Sequence, residues 1–166
     1  MNMTVVFANC QRTKKINLRL LKQIVKALLA DLEVEKAEIG ICLAAEPEMT
    51  RLNETFLKHK GSTDVITFDY CTDGRAGSPL PAAKFGARRS ARPTLQGEIF
   101  VCVDEAVLQA RKFGTSWQSE VIRYMVHGVL HLLGHDDLCV GARRKMKREE
   151  NRLLRKLSRR FALSKL

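Results

Sequence analysis

The chain has 166 residues, 45 % hydrophobic and 28 % charged, with a net charge of +11. That length suits one domain that buries a core without staples, and no apolar run approaches the ~18 residues of a membrane span. Met1 to Asn9 lacks the basic stretch and apolar core of a secretory signal, which leaves the cytoplasm as the default compartment.

Thr4 to Ala8 reads as a first strand. Asn17 can cap a helix whose apolar stripe runs Leu18, Leu21, Ile24, Val25, Leu28 and Leu32. Glu38 to Ala44 follows as a strand, and Pro47 opens a short helix with Met49, Leu52 and Phe56 on one face, stopped by Gly61. Asp64 to Tyr70 and Glu98 to Val103, rich in β-branched and aromatic residues, are two more strands. Asp104 is the expected cap of a helix ending at Gly114. Thr115 and Gln118 form a capping-box pattern for a helix that stops at Gly134. A last helix from about Ala142 turns Met146, Leu153, Leu154, Leu157 and Phe161 inward. Strands interleaved with helices predict an α/β (α+β) fold, a single small mixed sheet of about four strands packed with about five helices.

Five cysteines, widely spaced and without a C-x-x-C pair, argue against a disulfide framework or a cysteine-zinc knuckle. Cys42 and Cys102 lie in apolar runs and read as small buried hydrophobes. The positive charge is concentrated. Gly141 to Leu166 carries 11 Lys and Arg against two acids, and the Gly- and Pro-containing stretch Cys71 to Pro93 carries five basic residues (Arg75, Lys84, Arg88, Arg89, Arg92) against Asp73. The second stretch is expected to be a mobile basic loop. Such fields favour a polyanion, and nucleic acid is the commonest in the cytoplasm; a solvated basic face is the plainer alternative.

Three of the four histidines fall at 127, 131 and 135. On a helix, His127 and His131 project from one face and can grip one ion. Gly134 can turn the chain so that a later residue returns to it, and Asp137 is the natural third ligand, with His135 as a rival and Cys139 a more distant one. The plainer alternative is a pair of core imidazoles bonded to backbone carbonyls. Two His and one Asp suit Zn²⁺ and leave a fourth position for water, the arrangement of a catalytic ion. The spacing also matches metzincin proteases, but the position of the H-E-x-x-H general base holds Gly128. Glu98 and Asp136 are the carboxylates considered as substitutes.

The same residues resemble the YbeY family of metal-dependent, single-strand-specific endoribonucleases of small-subunit ribosomal RNA maturation and ribosome quality control. Its signature H-G-x-L-H-L-x-G-[aromatic or His]-x-H is followed from His127 to Asp136, with Asp137 in place of the last His. Leu52-Asn53 with Thr63 to Phe68, Gly97-Glu98-Ile99, and Met146 with Glu150 match further family motifs, so the resemblance covers most of the chain. It implies one such domain over 1–166, with a basic loop at 71–93 and a basic helix or tail at 141–166. It implies catalysis through one Zn²⁺ held by His127, His131 and Asp137, acting on ribosomal RNA and the 3′ end of 16S rRNA. The family's functionally important Arg falls on Leu57, and Ser62 stands where the family has Pro. Lys58, Lys60, Arg88, Arg89 and Arg92 are the cations expected to meet RNA in its place. The rival readings are a non-catalytic ribosome-assembly or RNA-binding factor with a structural metal, and a zinc metalloprotease.

Overall fold

Alternating apolar residues build the centre of the sheet. In the computed structural model, which describes residues 2–71 and 94–166, β2 (Lys36–Ala44) turns Ala37, Ile39, Ile41 and Leu43 to one face. Its neighbour β4 (Thr94–Cys102) does the same with Leu95, Ile99 and Val101. The two pair in parallel with Ile41 opposite Ile99, so one apolar layer continues across both. β1 (Asn2–Asn9) joins β2 in parallel, and β3 (Val65–Asp69) joins β4 antiparallel, giving a four-stranded mixed sheet in the order β1-β2-β4-β3. The expected strands are all present, three of them (β1, β2 and β4) longer than the sequence pattern marks and β3 shorter.

Among the described residues, five α-helices complete the α/β fold. α1 (Leu18–Asp31) starts where the Asn17 side chain accepts the Leu20 amide at 3.0 Å, and it buries Leu21, Ile24, Val25 and Leu28. Each such side chain contributes roughly 1.5–3 kcal/mol on burial. α3 (Val103–Phe113) ends at Gly114. α4 (Trp117–Leu132) crosses β3 and β4 closely, and α5 (Val140–Arg160) packs Met146, Leu153 and Leu157 into the same core. α2 (Glu46–Leu52) lies on the opposite face of the sheet, where Met49 meets Ile66 and Cys102 in a small second cluster.

Several ends differ from expectation for local reasons. The α2 region does not run to Gly61: a π-helical turn, Asn53–Leu57, ends at Lys58 in left-handed conformation, and the buried Asn53 amide donates to the Gly61 carbonyl at 2.8 Å. Asp104 does not cap α3; its carboxylate accepts the Glu46 amide and the Thr13 hydroxyl instead. Ser116, not Thr115, caps α4 through the Ser119 amide, while Thr115 donates to Glu120. Cys102 is buried as expected, but Cys42 is only half-buried, on the sparsely covered face. Residues 72–93, with Arg75, Lys84, Arg88, Arg89 and Arg92, lie outside the described residues. No helix among the described residues is long and apolar enough to cross a membrane.

Candidate metal centre and its cleft

Helical spacing places Arg123, His127 and His131 along one face of α4. The helix then closes in a Schellman turn: the Gly134 amide donates to the His131 carbonyl at 2.8 Å and the His135 amide to the Leu130 carbonyl at 3.0 Å. Gly134 has φ +84°, a conformation that a side chain disfavours. This turn reverses the chain and brings Asp137 back beside the histidines. One nitrogen of each imidazole and one Asp137 oxygen all lie within 4.8 Å of one another.

The two rings meet through their Nε2 atoms, 3.0 Å apart. His131 Nδ1 lies 3.1 Å from the His135 carbonyl, which can only accept, so that nitrogen carries the proton. His127 Nδ1 lies 3.2 Å from Glu150 Oε2. Burial opposes charge on Glu150, but hydrogen bonds from His127, Lys147 and Arg123 outweigh it and bring its pKa down to about 2. Glu150 is therefore an ionised acceptor, and His127 also carries its proton on Nδ1. Both Nε2 atoms then face the same small volume, and a metal ion, or one proton shared as an N–H···N hydrogen bond, relieves the contact. Burial, and then the neighbouring His127, lowers the His131 pKa below its ordinary value, so at neutral pH this ring is neutral and able to ligate.

A tetrahedral ion with bonds of about 2.0–2.2 Å sets its ligands about 3.3–3.6 Å apart. The 3.0 Å His pair needs to open by a few tenths of an ångström. Two imidazoles and a carboxylate, with the His127–Glu150 contact behind them, would form with a bound ion the carboxylate–histidine–metal arrangement that fixes the tautomer of a ligand. The donor set fits a divalent cation.

The His135 side chain is not part of this group; its backbone carbonyl is what serves His131. Asp136 spends its carboxylate on the Leu138 amide at 2.6 Å. Glu98 is on the opposite face of the sheet from α4, where its carboxylate accepts the Tyr70 hydroxyl at 2.9 Å, so it is no base for this site. Gly128 faces the sheet. A Cβ there would lie 2.7 Å from Ile99 Cγ2, which leaves no room for a protease-type glutamate.

A cleft of about 790 Å³ opens beside His127 and Asp137. Ser62, Thr63 and Asp64 form one wall, and Arg123, Arg143, Lys147, Glu150 and Asn151 line another. The sequence reading missed Arg123, whose guanidinium spans Glu120 at 3.4 Å, Glu150 at 2.6 Å and Asn151 at 3.0 Å. It also gave Glu150 no role beyond a motif match. Leu57 packs against the small apolar cluster under α2. Lys58 donates to the Thr55 carbonyl at 2.8 Å, and neither Lys58 nor Lys60 lines the cleft.

A family model described as endoribonuclease YbeY matches residues 5–158. The chain belongs to the YbeY family. Among its relatives is the endoribonuclease YbeY of Elusimicrobium minutum, 33 % identical over 83 % of this chain and 87 % of that protein. The Myxococcus xanthus protein of the same name is 36 % identical over 71 % of this chain, but that match spans only 36 % of its own length. The solution structure of a Thermotoga maritima protein superposes with a TM-score of 0.59 at 20 % identity, covering 93 % of this chain and 89 % of that one, a likeness of fold. Within the YbeY motifs, Met146 and Glu150 now have distinct surroundings: Met146 is in the core, and Glu150 holds His127.

Proposed function

We propose that this chain is a single-strand-specific, metal-dependent endoribonuclease of ribosomal RNA. Its work is maturation of the 3′ end of small-subunit 16S rRNA and ribosome quality control, in the cytoplasm. On this reading residues 1–166 form one YbeY-like domain whose segments 71–93 and 141–166 supply basic surface. The observation that carries the proposal is a three-ligand centre opening on a cleft with cationic side chains, in a chain of this family. His127, His131 and Asp137 hold one Zn²⁺; when bound, such an ion polarises a phosphate oxygen and lowers the pKa of its water toward ~7.

The chain's own groups do the rest. Glu150 and the His135 carbonyl keep both imidazoles in the ligating tautomer. Arg123 is tied to two carboxylates and Lys147 to Glu150 at 2.9 Å, so the exposed Arg143, which has no ion-pair partner among the described residues, is the cleft cation placed to meet a phosphodiester. Lys58, Lys60, Arg88, Arg89 and Arg92 extend that contact along the strand. The packing of Leu57 into an apolar cluster favours the second reading, a non-catalytic RNA-binding assembly factor, because it removes a guanidinium from the reaction. Elemental analysis of purified protein, paired with cleavage of single- and double-stranded RNA before and after chelation, separates the two. The proposal expects about one zinc per chain that is lost in the His127→Ala/His131→Ala double variant, and chelator-sensitive cleavage of single strands. Stoichiometric metal with no cleavage supports the second reading.

A further inference from the structure

On the far side of the sheet from α4, a different set of ligating side chains converges where β1 and β2 end. Cys10 follows β1, and its amide donates to the Leu43 carbonyl at 2.9 Å, extending the ladder by one residue. Cys42 lies on β2, facing away from α4, and Glu48 is in the first turn of α2, which covers part of that face. The two sulfurs and one Glu48 oxygen lie within 4.8 Å of one another.

The spacing of the sulfurs is informative. They are 3.8 Å apart. A tetrahedral ion with Zn–S bonds of about 2.3 Å sets two thiolates about 3.8 Å apart, whereas a disulfide needs about 2.05 Å. The two thiols, which share an S–H···S hydrogen bond, are thus already at the separation that two ligands of one ion take. Three segments are also tied together here: Asp104 accepts both the Thr13 hydroxyl and the Glu46 amide, which anchors the chain after Cys10 to the start of α2. Gln11 braces the same turn through Asn9 and Lys14. The ion-pair partner of Glu48 is Arg51, 4.0 Å away with its side chain 76 % exposed, a weak competitor for the carboxylate.

We propose that Cys10, Cys42 and Glu48 form a second cation site, separate from the His127–His131–Asp137 centre, that takes one thiophilic divalent ion such as Zn²⁺. Sulfur donors select such an ion over Mg²⁺ or Ca²⁺. Binding forms two metal–sulfur bonds and one metal–oxygen bond and releases both thiol protons to solvent. Because Cys10 is exposed, a fourth position is accessible to water.

The test is a titration of the metal-free full chain with Co²⁺, without oxygen and with a non-thiol reductant, read at the thiolate-to-cobalt charge-transfer band. Imidazole and carboxylate ligands do not give that band. It should rise to saturation, vanish in Cys10→Ser and in Cys42→Ser, and persist in the His127→Ala/His131→Ala double variant. Glu48→Gln should retain the band with several-fold weaker affinity. The exposed Cys10 contributes little to the core, so its variant stays folded, and circular dichroism checks this. No band in the parent chain, or an undiminished band in Cys10→Ser, overturns the proposal.

Discussion

The contact between His127 and Glu150 fixes which nitrogen of the ring is free, and the charge on Glu150 raises the basicity of that nitrogen. Glu150→Gln keeps the volume and removes the charge. It should weaken zinc binding by about 10–100-fold in a competition titration. The same variant carries a pH signature. The folded pKa of Glu150, about 2, lies below its ordinary 4.5, so its stabilisation is complete above that ordinary value and is lost as pH falls toward 2. Urea unfolding of metal-free protein should show a deficit for Glu150→Gln of up to about 3 kcal/mol at neutral pH, shrinking through that window. A pH-independent deficit assigns it to packing. Asp137→His exchanges an anionic ligand for a neutral one and leaves more positive charge on the ion and its water. Ribonuclease activity should persist or rise, with its pH optimum moved downward; complete loss of metal binding would show that the position is not interchangeable. The His127–His131 pair and the turn at Gly134 could be read from the sequence because their geometry is set within one helix and its cap. Glu150 could not be assigned its role. It is 23 residues from His127, and only the packing of α5 against α4 joins them.

α4 reaches the sheet through Gly128. Val65 and Thr67 methyls would lie 3.3 Å from a Cβ there, and the rigid β-branched Ile99 still closer. Gly128→Ala gains about 1 kcal/mol of helix propensity and loses about 1–3 kcal/mol to overpacking. A net loss of about 1 kcal/mol is expected by urea unfolding; a variant as stable as the parent would show that the helix moves freely. Helix stripes were legible because burial follows the 3.6-residue period. Cap positions were not, because neighbouring hydroxyls and carboxylates compete: Ser116 takes the cap that Thr115 offered, and Asp104 is diverted to Glu46 and Thr13. On α5, Lys156 and Arg160 pair with Asp31, and Arg152 pairs with Glu149. Arg148, Arg155 and Arg159 are exposed and have no ion-pair partner among the described residues. Replacing these three by Ala should weaken binding to single-stranded RNA and reduce its salt slope by up to about 0.7 per lost phosphate contact. An unaltered slope makes this face a solvated surface and nothing more.

The charge of the whole molecule is divided by position: segments 71–93 and 141–166 hold balances of +4 and +9, and the remainder sums to −2. On the proposed function, electrostatic attraction to RNA would therefore come from the two basic segments, while the candidate metal ligands His127, His131 and Asp137 lie in the nearly neutral remainder. Replacing Arg88, Arg89 and Arg92 by Ala should lower RNA affinity and leave metal content unchanged, which filter binding and elemental analysis measure separately. The four-stranded sheet and five helices were legible from alternating and helical periods, but the order β1-β2-β4-β3 was not, since no local pattern says that β4 lies between β2 and β3. That order sets the site: it puts Ile99 and Thr67 under Gly128 and holds the histidine face of α4 clear of the sheet, toward α5. The most direct test is the initial rate of cleavage of a single-stranded RNA carrying the 3′ end of 16S rRNA, measured as zinc is restored to stripped protein. The parent chain should regain activity in proportion to the zinc that it binds in excess of His131→Ala, while His131→Ala stays inactive at every zinc concentration; equal cleavage by the stripped chain or by His131→Ala would contradict the account.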